Sequence, residues 1–336
     1  MFLENPCKGR YVEVVNYLVR RVVQVIPLLI VISLVNFFIM HLAPGNPVLL
    51  MTDRNATAEE VARIEALYGL DQPIYIQYFK WLGHVLKGDF GNSFIDGRPV
   101  LDHIVERLPY TLYLNLIVMV IIYALSIPIG AISALKQYSK FDHAVTFFAF
   151  LGQALPSFWF ALILVYAVGI KSAWLPISGV ATIGVNLSTH GVLAVIADRA
   201  KYLVLPVTVI SLGSMAGITR YMRSSMLEVI NQDYIRTARA KGLPEKVVIV
   251  KHALRNALLP IVTLLGFELP ILFSGSAIIE TIFSWPGLGL LAVRSVFQRD
   301  YQVVMALNMI GALLMVAGNL FSDVLYVLVD PRIKYQ

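Results

Sequence analysis

The sequence predicts an all-α polytopic membrane protein with six transmembrane helices. The 336-residue chain is 58% hydrophobic and 14% charged, with a mean hydropathy of +0.73; soluble domains carry roughly 25% charge. Six stretches meet or approach the ~20 apolar residues needed to cross a hydrocarbon core: 22–42, 111–135, 144–170, 202–219, 258–282 and 303–329. The third observation orients them. None of the 27 Lys and Arg falls inside a stretch, and with the N-terminus in the cytoplasm 16 lie in cytoplasmic segments and 11 in the longer loops opposite. That asymmetry follows the positive-inside rule and places both termini in the cytoplasm. The net charge of +6 is then a consequence of topology and gives no reason to expect nucleic acid as a partner.

Residues 1–21 form a cytoplasmic tail carrying Lys8, Arg10, Arg20 and Arg21. The first span, 22–42, is longer than the ~7–15 apolar residues of a cleavable signal. It ends in Leu42-Ala43-Pro44-Gly45, a helix stop rather than a cleavage site, so it is retained. Residues 43–110 form an extracytoplasmic subdomain that opens on a turn at Pro44-Gly45-Asn46-Pro47. A short helix over 58–68 follows, with Thr57 as N-cap and Glu60 completing a capping box. Residues 75–86 are aromatic and amphipathic, with Tyr75, Tyr78, Phe79 and Trp81 suited to the membrane interface. They predict a surface lid, a landing site for an external partner, or both.

A transmembrane core occupies 111–329, interrupted by a basic loop at 220–257, and 330–336 form the cytoplasmic C-terminal tail. Two further external loops, 171–201 and 283–302, carry Trp174-Leu175-Pro176 and Trp285-Pro286-Gly287-Leu288-Gly289. The second of these reads as a re-entrant or tightly turned segment.

The 220–257 loop is far longer than a connection requires. Residues 223–241 predict one helix with Met226, Ile230, Tyr234 and Ile235 toward one side. Gly242 ends it, since glycine supplies the freedom a sharp turn needs. Pro244 suits the first turn of a second helix over 245–254. Two short helices at an angle form either a rigid docking knob or a basic surface element facing anionic lipid.

Polar residues cluster on helical faces inside the spans. In the third span these are Thr146, Ala149, Gln153, Pro156 and Ser157; in the fourth, Thr208, Ser211 and Ser214. In the sixth they are Asn308, Gly311, Ala312, Met315, Asn319, Ser322 and Asp323. Close helix packing and a wetted pathway both account for them, and the pathway reading selects Gln153, Ser157, Ser211, Ser214, Glu268, Asn308 and Asn319. Glu268 is the acidic residue nearest the middle of a span, where a charge costs about 2.5–3.5 kcal/mol on insertion scales. It must be neutral, paired or wetted; a protonated carboxyl bonding nearby backbone would satisfy it.

Several chemistries have no motif in the chain. There is no GxxxxGK[ST] phosphate loop, HExxH or GxSxG, and no acidic or histidine cluster with metal-ligand spacing. No catalytic residue, metal site or cofactor site is therefore expected. The single cysteine, Cys7, has no partner for a disulfide.

Over nearly its full length the chain resembles the permease subunits of binding-protein-dependent ABC importers, in the dipeptide/oligopeptide/nickel branch. The motifs that carry the likeness begin with Tyr17-Leu18-Val19-Arg20-Arg21, Pro44-Gly45-Asn46-Pro47 and Gly69-Leu70-Asp71-Gln72-Pro73. They continue with Gly88-Asp89-Phe90-Gly91-Asn92-Ser93 and Pro156-Ser157-Phe158-Trp159. The remainder are Asp233-Tyr234-Ile235-Arg236-Thr237-Ala238-Arg239-Ala240-Lys241-Gly242, Trp285-Pro286-Gly287-Leu288-Gly289 and Asp330-Pro331-Arg332. The broader family signature, Glu-Ala-Ala followed by glycine four residues after the last alanine, falls on Arg236, Thr237, Ala238 and Gly242; only Ala238 and Gly242 match. Its distal Ile-x-Leu-Pro falls on His252, Ala253, Leu254 and Arg255, with only Leu254 kept.

The resemblance implies a type I permease fold and an ATPase-coupling segment comprising Asp233, Tyr234, Ala238, Ala240, Lys241, Gly242, Leu243, Pro244 and Glu245. It also implies a second homologous permease, two cytoplasmic ATPases that bind ATP and Mg, and an external substrate-binding protein. This chain would contribute no catalysis and would move di- or oligopeptides, with nickel chelates and small glycosides also open. A secondary transporter or channel independent of any ATPase is the rival reading. It calls for charged pathway residues or inverted repeats, and neither is clear in the sequence.

Overall fold

The computed structural model describes residues 6–42, 57–268 and 270–329. The motifs expected at 44–47 and 330–332 lie outside them. In chain order the helices are α1 (Pro6–Leu42), α2 (Ala58–Tyr68), α3 (Ile74–Val85), α4 (Val100–Leu135), α5 (Lys140–Ala154), α6 (Ser157–Lys171) and α7 (Leu187–Ile230). They continue with α8 (Asp233–Ala240), α9 (Glu245–Phe273), α10 (Ala277–Ile282), α11 (Leu288–Gln298) and α12 (Tyr301–Val329). Extended pairing among the described residues is limited to one antiparallel bridge, Asn92 to Pro99. Among the described residues five helices are long and apolar enough to cross a membrane, and α5 with α6, bent by 101°, together meet the same test as a broken span or a re-entrant loop.

The chain forms two compact units, one of Met1–Pro109 with Leu291–Gln336 and one of Tyr110–Leu290. In the first, the expected N-terminal tail is helical from Pro6 and continuous with the first span. The capping box that begins α2 is present as predicted: Thr57 Oγ1 accepts from the Glu60 N–H, and Glu60 accepts from the Thr57 N–H. Gly69 closes α2 in the left-handed region (φ 67°), donating to Ala66 O while Leu70 donates to Glu65 O. Tyr78 of α3 packs with Phe37 of α1 and Met305 of α12, and its hydroxyl shares a 2.9 Å hydrogen bond with Ser33. Asn36 donates to Met305 O, and Asn308 donates to Asn36 Oδ1, each at 2.9 Å. These bonds tie α1 to α12 through partners that lipid could not provide.

The second unit is organised around a core in which Leu114, Val118 and Ile122 of α4 meet Met222 and Met226 of α7 and Ala257 and Ile261 of α9. Several elements differ from the sequence reading. Residues 144–170 are not one straight span: Pro156 cannot donate a backbone hydrogen bond, and Leu155 adopts an extended conformation, so the chain turns between α5 and α6. The fourth span is longer than 202–219, and α7 begins at Leu187 within the expected external loop, with a non-helical residue at Gly191. The fifth span was expected to run to residue 282. It ends at Phe273 in a short 3₁₀ turn beginning at Pro270, and 277–282 form the separate helix α10. The last external loop is largely helical, in α11.

Candidate functional site

The basic loop does not form the single helix expected over 223–241. Arg223–Ile230 complete α7, Asn231 caps it with its side chain donating to Leu227 O at 2.9 Å, and Gln232 is extended (ψ 149°). Asp233 then opens α8 with its charge in the first turn, where the positive end of the helix favours it. The break rotates the following residues, so Ile235 is fully buried while Tyr234, expected on the apolar side, points out and is 43% exposed. Ala238 also turns inward. Ile235 and Ala238 share the core with Met222, Met226, Val248 and Ala253. Burying Ile235 contributes about 2 kcal/mol toward seating α8.

The rest of the segment faces solvent. Asp233, Tyr234, Ala240, Lys241, Gly242, Leu243, Pro244 and Glu245 are all exposed. Gly242 is left-handed (φ 72°), and a Cβ built there meets nothing within 4 Å. Glycine is required here by backbone conformation, not by space. Arg239 bridges the turn with two bonds to Glu245, at 2.7 and 3.2 Å. The expected second helix over 245–254 includes a π-helical turn, Val248–Leu254, and continues directly into the fifth span. Ser225 Oγ donates to Ala257 O at 2.9 Å, joining α7 to α9 near the knob. The result is an exposed, charged ridge rigidly connected to two spans.

The candidate pathway residues are distributed over both units. In the second unit, Gln153, Thr146 and Ala149 of α5 line a cavity of ≈ 20 Å³ with Ala216, Thr219 and Arg223 of α7, about enough for one water. Ser157 and Ser214 are exposed, whereas Ser211 is buried with its hydroxyl unpartnered among the described residues. Glu268 is half-buried in α9, and no backbone group hydrogen-bonds its carboxyl among the described residues. Asn308 and Asn319 belong to the first unit, where Asn308 serves packing through Asn36. The side chain of Asp323 lies outside the described residues.

Two buried carboxylates of the second unit escaped the sequence reading. Asp142 accepts from Ser133 Oγ, the Tyr138 N–H and the Nε and Nη2 donors of the Arg223 guanidinium. Glu280, 1% exposed, accepts from the Leu290 and Ser276 N–H groups at 2.9 and 3.2 Å and from Thr111 Oγ1 at 3.3 Å. The glycines of the 285–289 motif make room for it: a Cβ on Gly287 or Gly289 would lie 2.6 or 2.9 Å from Glu280 Oε2. Glycines spaced around an acid in an apolar segment were the available signal.

In the first unit the 88–93 motif folds on its own side chains. Asp89 accepts from the Gly91 N–H and from His84, and these bonds hold its carboxyl below the usual range. Ser93 Oγ and the Phe94 N–H both donate to Asp300. Beside them lies a cavity of ≈ 870 Å³ whose wall includes Phe37, His41, Trp81 and Gln302.

Residues 126–335 match the family described as binding-protein-dependent transport system inner membrane component, and residues 14–115 match the N-terminal membrane component of such systems. The chain is 48% identical over 320 residues to the oligopeptide transport system permease protein AppB of Bacillus subtilis, covering 95% of this chain and 99% of that protein. It is 38% identical over 321 residues to the oligopeptide permease OppB of Haemophilus influenzae, covering 95% and 99%. The dipeptide permease DppB of Escherichia coli K12 is likewise 38% identical over 336 residues, covering 96% and 99%.

Proposed function

Because the chain belongs to the family of inner membrane components of binding-protein-dependent transport systems, we propose that it is a permease subunit of an ATP-driven importer of di- or oligopeptides. The observation that carries the substrate class is the near full-length likeness to peptide permeases, 48% identical in one case. The mechanism rests on the exposed ridge from Asp233 to Glu245, anchored through Ile235 and Ala238 to the packed ends of two spans.

In this reading the chain sits in the cytoplasmic membrane, contacting lipid, with both termini in the cytoplasm. It pairs with a second homologous permease. Two ATPase subunits hold ATP and Mg and dock on the ridge from the cytoplasm; a substrate-binding protein delivers peptide from outside. Closure of the ATPases pushes the ridge. Ile235 is locked in the core and Ser225 is bonded to Ala257, so α8 cannot yield independently, and the displacement passes to α7 and α9. The spans then exchange outward for inward access. The chain is not itself an enzyme.

The test is reconstitution of the chain with its partner permease, ATPases and binding protein in vesicles. Peptide-loaded binding protein should stimulate ATP hydrolysis and peptide should accumulate inside, while the isolated chain should hydrolyse no ATP. Peptide uptake by the isolated chain down a concentration or proton gradient would instead establish the ATPase-independent transporter.

A further inference from the structure

We infer that the cavity beside the 88–93 motif binds a short peptide, with Lys80 receiving its C-terminal carboxylate, an inference that rests on the peptide-importer reading. All of the lining residues belong to the first unit. In the proposed topology the cavity lies on the extracytoplasmic side, where α1 ends and α12 begins. At ≈ 870 Å³ it falls within the range of small-molecule pockets, roughly 300–1,000 Å³, whose apolar walls carry a few polar groups that fix the ligand.

One wall is aromatic and held from behind. Phe37 packs on Trp81 and His41, with ring centroids 5.6 and 4.0 Å apart. His41 sits between Phe37 O at 2.9 Å and Gln77 Oε1 at 3.1 Å. Gln77 in turn donates to Leu70 O and Gln72 O at 3.0 and 2.7 Å. These bonds are internal to the protein and join α1 to α3, so the wall is formed before a ligand arrives, which lowers the cost of binding.

The charge of the cavity is one-sided. Its acids are already engaged: Asp89 by the Gly91 N–H at 2.9 Å and the His84 ring at 3.0 Å, and Glu65 by an interaction of its own. Lys80 makes no ion pair or hydrogen bond among the described residues. Its Nζ lies over Gly69, 3.9 Å from the position a Cβ there would take, beside the Gln72 side chain. Gln302 is also without a hydrogen bond among the described residues, and its Oε1 lies 3.3 Å from the position of a Gly91 Cβ.

A cation and a carboxamide in one aromatic-walled cavity select the ligand. An ammonium group has only donors and calls for an anion, whereas a carboxamide both donates and accepts, as a peptide bond does. The C-terminal part of a short peptide supplies both, and an apolar side chain on it covers the aromatic wall. A fatty acid or a phosphate would answer Lys80 and make no use of Gln302. An uncharged solute would leave the lysine unanswered.

The experiment measures equilibrium binding of Ala-Phe and of its C-terminal amide to the detergent-solubilised assembly without binding protein. The wild type should bind the free acid about tenfold more tightly than the amide, the order of one charge-assisted hydrogen bond. Lys80→Gln should weaken acid binding by the same factor and leave the amide unchanged, while Lys80→Arg should stay within about threefold of wild type. Lys80 gives up no contact within the protein, so an unchanged melting temperature is expected of both variants. Binding should alter tryptophan fluorescence, and Trp81→Phe should abolish that change. Equal acid affinity in wild type and Lys80→Gln, or a fluorescence change that persists in Trp81→Phe, overturns the inference. So does an absence of peptide binding at millimolar concentration, including the case in which Lys80→Gln weakens capture of the binding protein instead. Failure of peptide-loaded binding protein to stimulate ATP hydrolysis in the wild type would count against the importer reading.

Discussion

Arg223 lays the Nε edge of its guanidinium on both oxygens of Asp142, Nε to Oδ1 at 2.6 Å and Nη2 to Oδ2 at 2.8 Å. The carboxylate is buried and the guanidinium side chain is 25% exposed. The pair joins the start of α5 to α7 two turns before the break that begins the knob. Because Asp142 also accepts from Ser133 and Tyr138, it fixes the short turn between α4 and α5 as well.

Breaking this pair from one side should therefore be costly. Asp142→Asn is expected to destabilise the fold by about 3 kcal/mol, because removing one partner leaves the other without compensation. The double replacement Asp142→Leu with Arg223→Met should cost less than the two single changes summed. Thermal melting of the purified assembly reads both quantities. Single variants within about 0.5 kcal/mol of wild type would place the pair with exposed ion pairs of little consequence.

The Glu280 cage makes a separate prediction. Glu280→Ala leaves the Leu290 and Ser276 N–H groups without their acceptor, at about 1–3 kcal/mol for each group that stays buried and unpaired. Hydrogen exchange across 285–290 should accelerate in that variant. Gly275→Ala should have a similar effect, since the new methyl would meet the Gly289 backbone nitrogen at 2.3 Å. Unchanged exchange in both variants would mean that the cage does not hold the loop.

Gly242→Val tests the ridge. The site has room for a side chain, so the strain comes from holding a β-branched residue at a φ of 72°. Uptake should fall at least tenfold while the assembly still reaches the membrane. Gly242→Ala should lie between, with a backbone cost of about 1–2 kcal/mol. A surface element that only touches lipid would tolerate both, and normal uptake by Gly242→Val would exclude a coupling role.

Topology can be read by thiol labelling in a Cys7→Ser background. Ala58→Cys should react with an impermeant reagent from outside, and Gln232→Cys only after the membrane is opened. Both positions are exposed in the fold, so burial would not explain a missing signal. The opposite pattern would place the ridge outside and remove it from contact with ATPases.

The sequence by itself determined the features that depend on neighbouring residues. Hydropathy located the spans because a bilayer imposes a length of apolar chain on any helix that crosses it. Thr57 and Glu60 announced the start of α2 because a capping box is completed within one turn. The exposed turn at Gly242 followed from the conformational range of glycine. Tertiary structure decided what distant segments contribute. Ile235 rather than Tyr234 became the anchor because the chain breaks at Gln232 and the core beneath is built from Met226 and Val248. Asn308 became a packing residue because Asn36, 272 positions away, accepts its amide. Asp142 and Glu280 take their roles in the same way. A polar group inside a membrane protein takes its role from the partner that the fold brings to it, and local periodicity does not specify that partner.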